Sequence, residues 1–195
     1  MLDETQYLKF KSKKLASIFS SRDSNILELG SGYGWNLISL RYHGFTGELY
    51  GIDISPTAVQ LCNEISDHLK LAIKAQVLDI KYIKKDSIDT SLFDIILIYQ
   101  VLEQLPEDIE AILYNIVHLF PNKKFFLIES ASELFPKSLS DILTRIYIKK
   151  QNYQNTVLKN LRKLENEGLI FNFGFQRYRC SGKYGHENII IKFDT

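Results

Sequence analysis

A glycine-rich segment that follows an acidic residue is the part of the sequence best suited to chemistry. Residues 28–34 read Glu-Leu-Gly-Ser-Gly-Tyr-Gly and continue an apolar run that starts at Asn25. Glycines let the backbone press against a ligand, where a Cβ would clash, and they tolerate the positive φ of a sharp bend. A dinucleotide site has the pattern GxGxxG, but here the third glycine comes one residue early and is followed by Trp35. The Glu28 carboxylate suits a cation better than a phosphate, although it could instead cap a neighbouring helix. The segment therefore predicts a ligand site of another kind.

Five short apolar runs are typical of buried strands. They span residues 25–30, 48–53, 75–79, 93–99 and 124–130. Helical patterns lie between them at 35–43, 56–70 and 106–120, and the second has Ser55 as N-cap and Pro56 at its first position. Strands that alternate with helices of this length predict right-handed βαβ crossovers. The predicted fold class is therefore α/β, a doubly wound parallel sheet covered on both faces.

The remaining segments add to this core. An amphipathic pattern predicts an N-terminal helix over residues 2–20. Residues 131–153 exceed the usual length of a βα loop and are expected to form a cap or lid. A charged helix over 156–167 precedes two strands, 169–178 and 186–193, whose glycine-containing linker suits a hairpin with an antiparallel last strand. We expect a single domain with four parts: an N-terminal helix (1–22), a core (23–130), a cap (131–153) and a C-terminal helix and hairpin (154–195).

The composition is that of a globular protein and excludes several classes. The 195 residues are 45% hydrophobic and 24% charged with a net charge of +1, which excludes intrinsic disorder and collagen-like repeats. The two cysteines, Cys62 and Cys180, form no disulfide framework and lack metal-ligand spacing, so no metal is expected. No apolar run approaches 18 residues, and the first residues are too charged for a signal peptide. We expect a cytoplasmic protein that does not bind membranes.

With these elements placed, the motifs resemble those of the class I S-adenosylmethionine-dependent methyltransferases. The family's first motif is an acidic residue followed by GxGxG, which matches residues 28–34. The resemblance continues in order to about residue 130, with "YGIDIS" at the second strand, "VLDI" at the third and "FDIILIYQVLEQLP" at the fourth. It implies a seven-stranded Rossmann-like sheet, methyl transfer and S-adenosylmethionine as cofactor. The cofactor-binding residues that it implies are Glu28, Gly30, Gly32, Gly34, Asp53, Ile54, Asp79, Ile80 and Tyr99.

Two aspartates have the most defined implied roles. In the family, the residue at the position of Asp53 binds both ribose hydroxyls, and the residue at the position of Asp79 meets the adenine amino group. A vicinal diol offers two donors at a spacing that one carboxylate can accept, while Ile54 and Ile80 would offer apolar faces to the adenine ring. Other roles stay open, because Asp53 could cap the next helix, although Ser55 already suits that role, and Asp79 could be a turn residue.

The acceptor side is indicated by charge and by a few candidate bases. Residues 137–195 carry 11 basic and 5 acidic side chains, net +6, whereas residues 1–136 have a net charge of −5. Because the sixth strand is expected to run parallel to the first five, the linker 179–187 should lie on the cofactor side. His186 is the best candidate for a general base. Glu103 could line the pocket or brace its loop, and the Gln104 that follows it, where the family has histidine, cannot act as a base. The expected acceptor-binding residues are Arg179, Lys183 and Tyr184.

These patterns predict methyl transfer to a small acceptor that is anionic or sugar-like, because positive charge attracts anions. Transfer from a sulfonium needs positioning rather than a metal or a covalent nucleophile. Two alternatives stay open: an RNA or protein methyltransferase, and a module that binds S-adenosylmethionine without activity. Nucleic acid is the less favoured partner, because sheet packing explains the mixed aromatic and basic residues of "FGFQRYRC" equally well. The sequence leaves the oligomeric state open.

Overall fold

A computed structural model of the chain describes residues 13–105, 109–130, 156–179 and 187–195. The strands within these residues are β1 (Ile26–Leu29), β2 (Leu49–Asp53), β3 (Ile73–Val77), β4 (Ile95–Tyr99), β5 (Lys124–Ser130), β6 (Phe171–Arg179) and β7 (Glu187–Asp194). The helices are α1 (Trp35–Tyr42), α2 (Pro56–Leu69), α3 (Ile109–Leu119) and α4 (Val157–Asn166). The strands form one seven-stranded sheet in the order β3-β2-β1-β4-β5-β7-β6. The predicted α/β class with a seven-stranded Rossmann-like sheet is confirmed.

The residues up to Leu97 form one compact unit, in which β1, β2 and β3 run parallel. The register places Leu49 opposite Ile26 on one side and opposite Ile73 on the other. The connections through α1 and α2 are the predicted βαβ crossovers. The N-cap prediction for α2 is confirmed, since Ser55 Oγ accepts a hydrogen bond from Ala58 N at 3.3 Å. This cap satisfies one of the amide groups that a helix start leaves without a backbone partner.

The N-terminal helix predicted over residues 2–20 is described only in part. Residues 13–17 are helical, the helix does not continue to residue 20, and residues 2–12 lie outside the described residues. Leu15 and Phe19, two apolar residues of this segment, are buried. Phe19 packs edge-on against Phe45, with ring centroids 5.6 Å apart. This segment therefore contributes to the core of the first unit.

The residues from Ile98 onward form a second compact unit. β5 and β6 both pair antiparallel with β7, so β6 runs parallel to β5 and β7 is the antiparallel strand, as predicted. Phe125 on β5 stacks on Phe193 on β7, with ring centroids 4.7 Å apart. One face of α3 is apolar and buried, and it consists of Ile109, Ile112, Leu113, Ile116 and Val117.

Several element boundaries differ from the predictions. The third strand was expected at 75–79 but ends at Val77, because the next residues form a turn in which Asp79 Oδ1 accepts a hydrogen bond from Lys81 N at 2.9 Å. β6 starts at Phe171 rather than at residue 169, after Gly168 has ended α4 with φ 73°. The expected cap at 131–153 lies outside the described residues, so the four-part division of the chain stays a prediction.

Candidate functional site

The glycine segment forms a tight loop between β1 and α1. Its start is held by two hydrogen bonds, since Gly30 N and Ser31 N both donate to Ile52 O, at 2.8 and 2.9 Å. Gly32 and Gly34 have φ values of 53° and 73°, which confirms the predicted need for glycine. A Cβ atom at Gly34 would lie 2.2 Å from Cys62 Sγ, whereas a Cβ at Gly32 would have no atom within 4 Å. The loop is therefore packed against the protein at Gly34 and open at Gly32.

The carboxylate of Asp53 ties this loop to the end of β2. Its Oδ2 accepts a hydrogen bond from Gly32 N at 2.8 Å, and its Oδ1 accepts one from Ser55 N at 2.9 Å. The cap of α2 is Ser55, so Asp53 is not needed for that role. Each carboxylate oxygen has two lone pairs, which leaves each able to accept a further donor. The side chain is thus held in a fixed orientation beside the open part of the loop.

Glu28, the acidic residue before the glycines, is fully buried. Asn36, the second residue of α1, donates from Nδ2 to Glu28 Oε1 at 2.6 Å. Burial and the negative charge of Glu28 together raise the pKa of the Cys62 thiol on α2 to about 11. Sequence reasoning missed Asn36, since no motif includes it. Glu28 and Asn36 are eight residues apart in the chain and come into contact only after β1, the glycine loop and α1 have folded.

A second residue that the sequence analysis missed is Gly51 on β2. A Cβ atom at this position would lie 2.4 Å from Ser31 Oγ and 2.7 Å from Ser31 Cβ. The Ser31 hydroxyl is buried, and none of the described residues forms a hydrogen bond with it. The loop can therefore lie directly against β2 only because residue 51 has no side chain.

The residues expected to contact adenine differ in exposure. Ile54 is 66% exposed, so a large apolar surface is available beside Asp53. Ile80 is only 7% exposed and belongs to the core, which leaves little of it to face a ring. Asp79 accepts a hydrogen bond within its own turn, consistent with the turn role that the sequence left open. Of the two predicted apolar faces, the structure exposes only that of Ile54.

In the second unit, a buried acid fixes the segment after β4. Glu129 on β5 is 1% exposed, and its carboxyl group accepts hydrogen bonds from the backbone N–H groups of Val101, Leu102 and Glu103, at 3.1, 3.1 and 3.3 Å. Burial and the nearby charge of Glu103 raise the pKa of Glu129 to about 8. Glu103 is itself 5% exposed, which favours the bracing role over the pocket role. An acidic residue inside the apolar run "KFFLIES" was the signal that could have identified Glu129.

The roles predicted for Tyr99 and for the expected acceptor residues are not decided by the described part of the structure. Tyr99 is the last residue of β4 and is buried, so its contact with a cofactor stays a prediction. Arg179 ends β6, but its side chain lies outside the described part of the structure. His186, Lys183 and Tyr184 are also outside it. Their roles stay predictions.

The described residues contain neither a candidate metal site nor a candidate membrane span. No group of three or more histidine, cysteine, aspartate or glutamate side chains there could hold a metal ion. No helix in the same residues is long and apolar enough to cross a membrane.

Comparison with known proteins decides the family. A family model described as "Methyltransferase domain" matches residues 20–173. The chain belongs to this methyltransferase family. It is an S-adenosylmethionine-dependent methyltransferase of class I, and S-adenosylmethionine is its cofactor. No curated protein sequence matches the chain.

Solved structures of low sequence identity share this methyltransferase fold. Magnesium protoporphyrin IX methyltransferase from Synechocystis PCC 6803, solved with bound S-adenosylhomocysteine, has a TM-score of 0.70 at 14% identity; the match covers 100% of this chain and 89% of that one. A methyltransferase from Aquifex aeolicus has a TM-score of 0.68 at 18% identity, covering 99% and 94%. Phosphoethanolamine N-methyltransferase 2 from Haemonchus contortus has a TM-score of 0.71 at 12% identity, and the match covers 95% of this chain but only 52% of that enzyme.

Proposed function

We propose that this methyltransferase binds S-adenosylmethionine in the first unit and methylates a small metabolite that is anionic or sugar-like. The observation that carries the proposal is the glycine loop, which is open at Gly32 and held beside a fixed carboxylate at Asp53. A Cβ at Gly32 would occupy this open space. The residues therefore fit a ligand that brings a pair of hydroxyl donors close to backbone.

The cofactor, when bound, supplies an electrophilic methyl group on a sulfonium sulfur. Asp53 would accept hydrogen bonds from the two ribose hydroxyls through the lone pairs that Gly32 N and Ser55 N leave available. Glu28 would balance the positive charge of the ammonium group. Ile54 would cover the adenine ring, and Asp79 would accept a hydrogen bond from its amino group. These residues bind and orient, which is the main requirement of an in-line displacement.

The acceptor class follows from charge. The net charge of +6 in residues 137–195 would attract an anion, whereas the net charge of −5 in residues 1–136 would repel one. Two of the similar structures are named for small-molecule substrates, magnesium protoporphyrin IX and phosphoethanolamine. An acceptor that is already a carboxylate needs no base. For a hydroxyl or an ammonium acceptor, His186 would take the proton.

Titration calorimetry of the whole chain with S-adenosylhomocysteine and with NAD tests the cofactor assignment. We expect S-adenosylhomocysteine to bind and NAD not to bind, because the spacing of the third glycine and the Glu28 carboxylate both disfavour a pyrophosphate. Tight binding of NAD with no heat from S-adenosylhomocysteine would contradict the proposal.

A further inference from the structure

The strand β6 lies at one edge of the sheet. It is last in the strand order, and among the described residues it pairs only with β7. The backbone N–H and C=O groups along its outer side therefore have no strand partner there. Phe171 and Phe175 are 52% and 43% exposed, and Gly174 and Gln176 are exposed as well. A strand edge that exposes aromatic side chains can pair with a further strand.

Only part of this edge is regular. The register of β6 with β7 shifts between Phe171 and Gly174, and Asn172 within this irregularity has φ 54°. Such bulges twist an edge and hinder pairing with another strand. From Gly174 to Arg179 the register with β7 is continuous. The regular part is about as long as a typical strand, so a second strand could pair along all of it.

Open grooves lie beside both faces of β6. One, of about 240 Å³, is on the face that Gln176 shares with Ile190, the residue opposite it on β7. The other, of about 490 Å³, lies between α4 and Phe173. Alternate side chains of a strand point to opposite faces. A strand added beside β6 would therefore place side chains in both grooves.

The residue types of β6 are complementary to a second copy of β6 in the antiparallel direction. Opposite residues in an antiparallel ladder both direct their backbone groups to the shared edge, and such residues alternate along a strand, so a two-fold axis must pass through a residue. An axis at Gln176 places Phe175 opposite Arg177 of the second copy. It also places Gly174 opposite Tyr178.

These pairings favour this axis over its neighbours. Arginine and phenylalanine attract each other, and an aromatic residue opposite a glycine compensates for the missing side chain in a sheet. An axis at Arg177 would instead place two arginines directly opposite each other, and like charges in that position repel. An axis at Phe175 would extend the pairing into the irregular part of the strand, at Phe173.

We propose that two copies of this chain form a dimer by antiparallel pairing of β6 with β6, about a two-fold axis at Gln176. The same edge is used by both copies, so the pairing is closed and does not continue into a filament. It gives hydrogen-bond partners to the outer backbone groups of both strands and covers Phe175 in each copy.

Sedimentation velocity of the whole chain tests whether the dimer forms. A concentration range from about 1 μM to about 200 μM brackets the micromolar dissociation constant that suits a small interface. The parent protein should change from monomer to dimer across this range.

Charges at the axis test the register, because residue 176 is opposite itself in the dimer. Gln176→Lys and Gln176→Glu each place two like charges opposite each other, and each should raise the dissociation constant about fivefold. An equimolar mixture of the two variants should restore the dimer, since lysine then faces glutamate. The matched control is Gln60→Lys, the same change at an exposed position on α2, which should dimerise like the parent.

A parent that stays monomeric over the whole range would overturn the inference, and so would species larger than a dimer. A dimer that both Gln176 variants form as readily as the parent would also overturn it, because that dimer must use another surface. Circular dichroism shows whether each variant is folded. Since residue 176 is exposed, both variants should fold, and if one does not, the other still tests the axis.

Discussion

Asp53 holds the glycine loop and is also the proposed acceptor for the ribose hydroxyls, and its substitution tests whether it contributes to cofactor binding. Asp53→Ala removes the bond that holds Gly32 N and also the proposed acceptor for the ribose hydroxyls. We expect S-adenosylhomocysteine to bind more weakly by about 1.5–3 kcal/mol in calorimetry, the range for hydrogen bonds to a charged group.

The control for this change is Asp89→Ala. Asp89 Oδ1 accepts a hydrogen bond from Ser91 N at 3.0 Å, two residues ahead, as Asp53 does from Ser55 N. The control therefore loses the same local bond away from the glycine loop, and its affinity for S-adenosylhomocysteine should match that of the parent. An unchanged affinity in folded Asp53→Ala would assign Asp53 to structure alone.

Single residues could be predicted where a local pattern determines their role. The Ser-Pro pair marked the start of α2, and the glycine spacing marked positive φ, because both depend on neighbours in the chain. Asn36 and Gly51 could not be found this way, since their contacts with Glu28 and Ser31 form only after β1, β2 and α1 have packed. The low exposure of Ile80 could not be predicted either, because the sequence does not tell which side of a turn faces the core, and its contact with adenine stays a prediction.

At the scale of elements, the order of strands and helices followed from the alternation of apolar runs and helical patterns. The ends of these elements were less predictable, because a hydrogen bond within a turn can end a strand, as the bond from Lys81 N to Asp79 Oδ1 does after β3. The parallel direction of β6 was expected from the family resemblance rather than from its residues. The structure agrees, since β7 pairs antiparallel with both β5 and β6.

The link between β5 and the turn after β4 predicts a pH effect on stability. Burial and Glu103 raise the pKa of Glu129 to about 8, so the folded protein keeps a proton that the unfolded chain releases near pH 4.5. This contribution to stability is complete at low pH and is lost as the pH rises towards 8. In Glu129→Gln the carbonyl oxygen can still accept from the turn, but nothing titrates.

Urea unfolding of the parent and of Glu129→Gln between pH 4.5 and 8.5 measures this effect. The free energy of unfolding of the parent, relative to that of the variant, should fall steadily across the range. A difference that does not change with pH would mean that Glu129 is ionised throughout, and would contradict the raised pKa.

At the scale of the whole molecule, the distribution of charge separates two tasks. The segment 1–136, which has a negative net charge, includes the proposed cofactor residues of the glycine loop. The segment 137–195, which has a positive net charge, includes the residues proposed to bind the acceptor. The sequence could predict this asymmetry by counting, but not the chemical identity of the acceptor, because charge attracts any anion of suitable size.

The most direct test of the account is turnover with S-adenosylmethionine that carries a deuterated methyl group. The parent protein would be incubated separately with a panel of sugar acids, nucleotide-linked sugars and phosphorylated metabolites, with RNA and with protein, and the products measured by mass spectrometry. We predict S-adenosylhomocysteine together with an equal amount of a deuterium-labelled small acceptor. Label in RNA or protein, or tight binding of S-adenosylhomocysteine with no turnover on any acceptor, would contradict it.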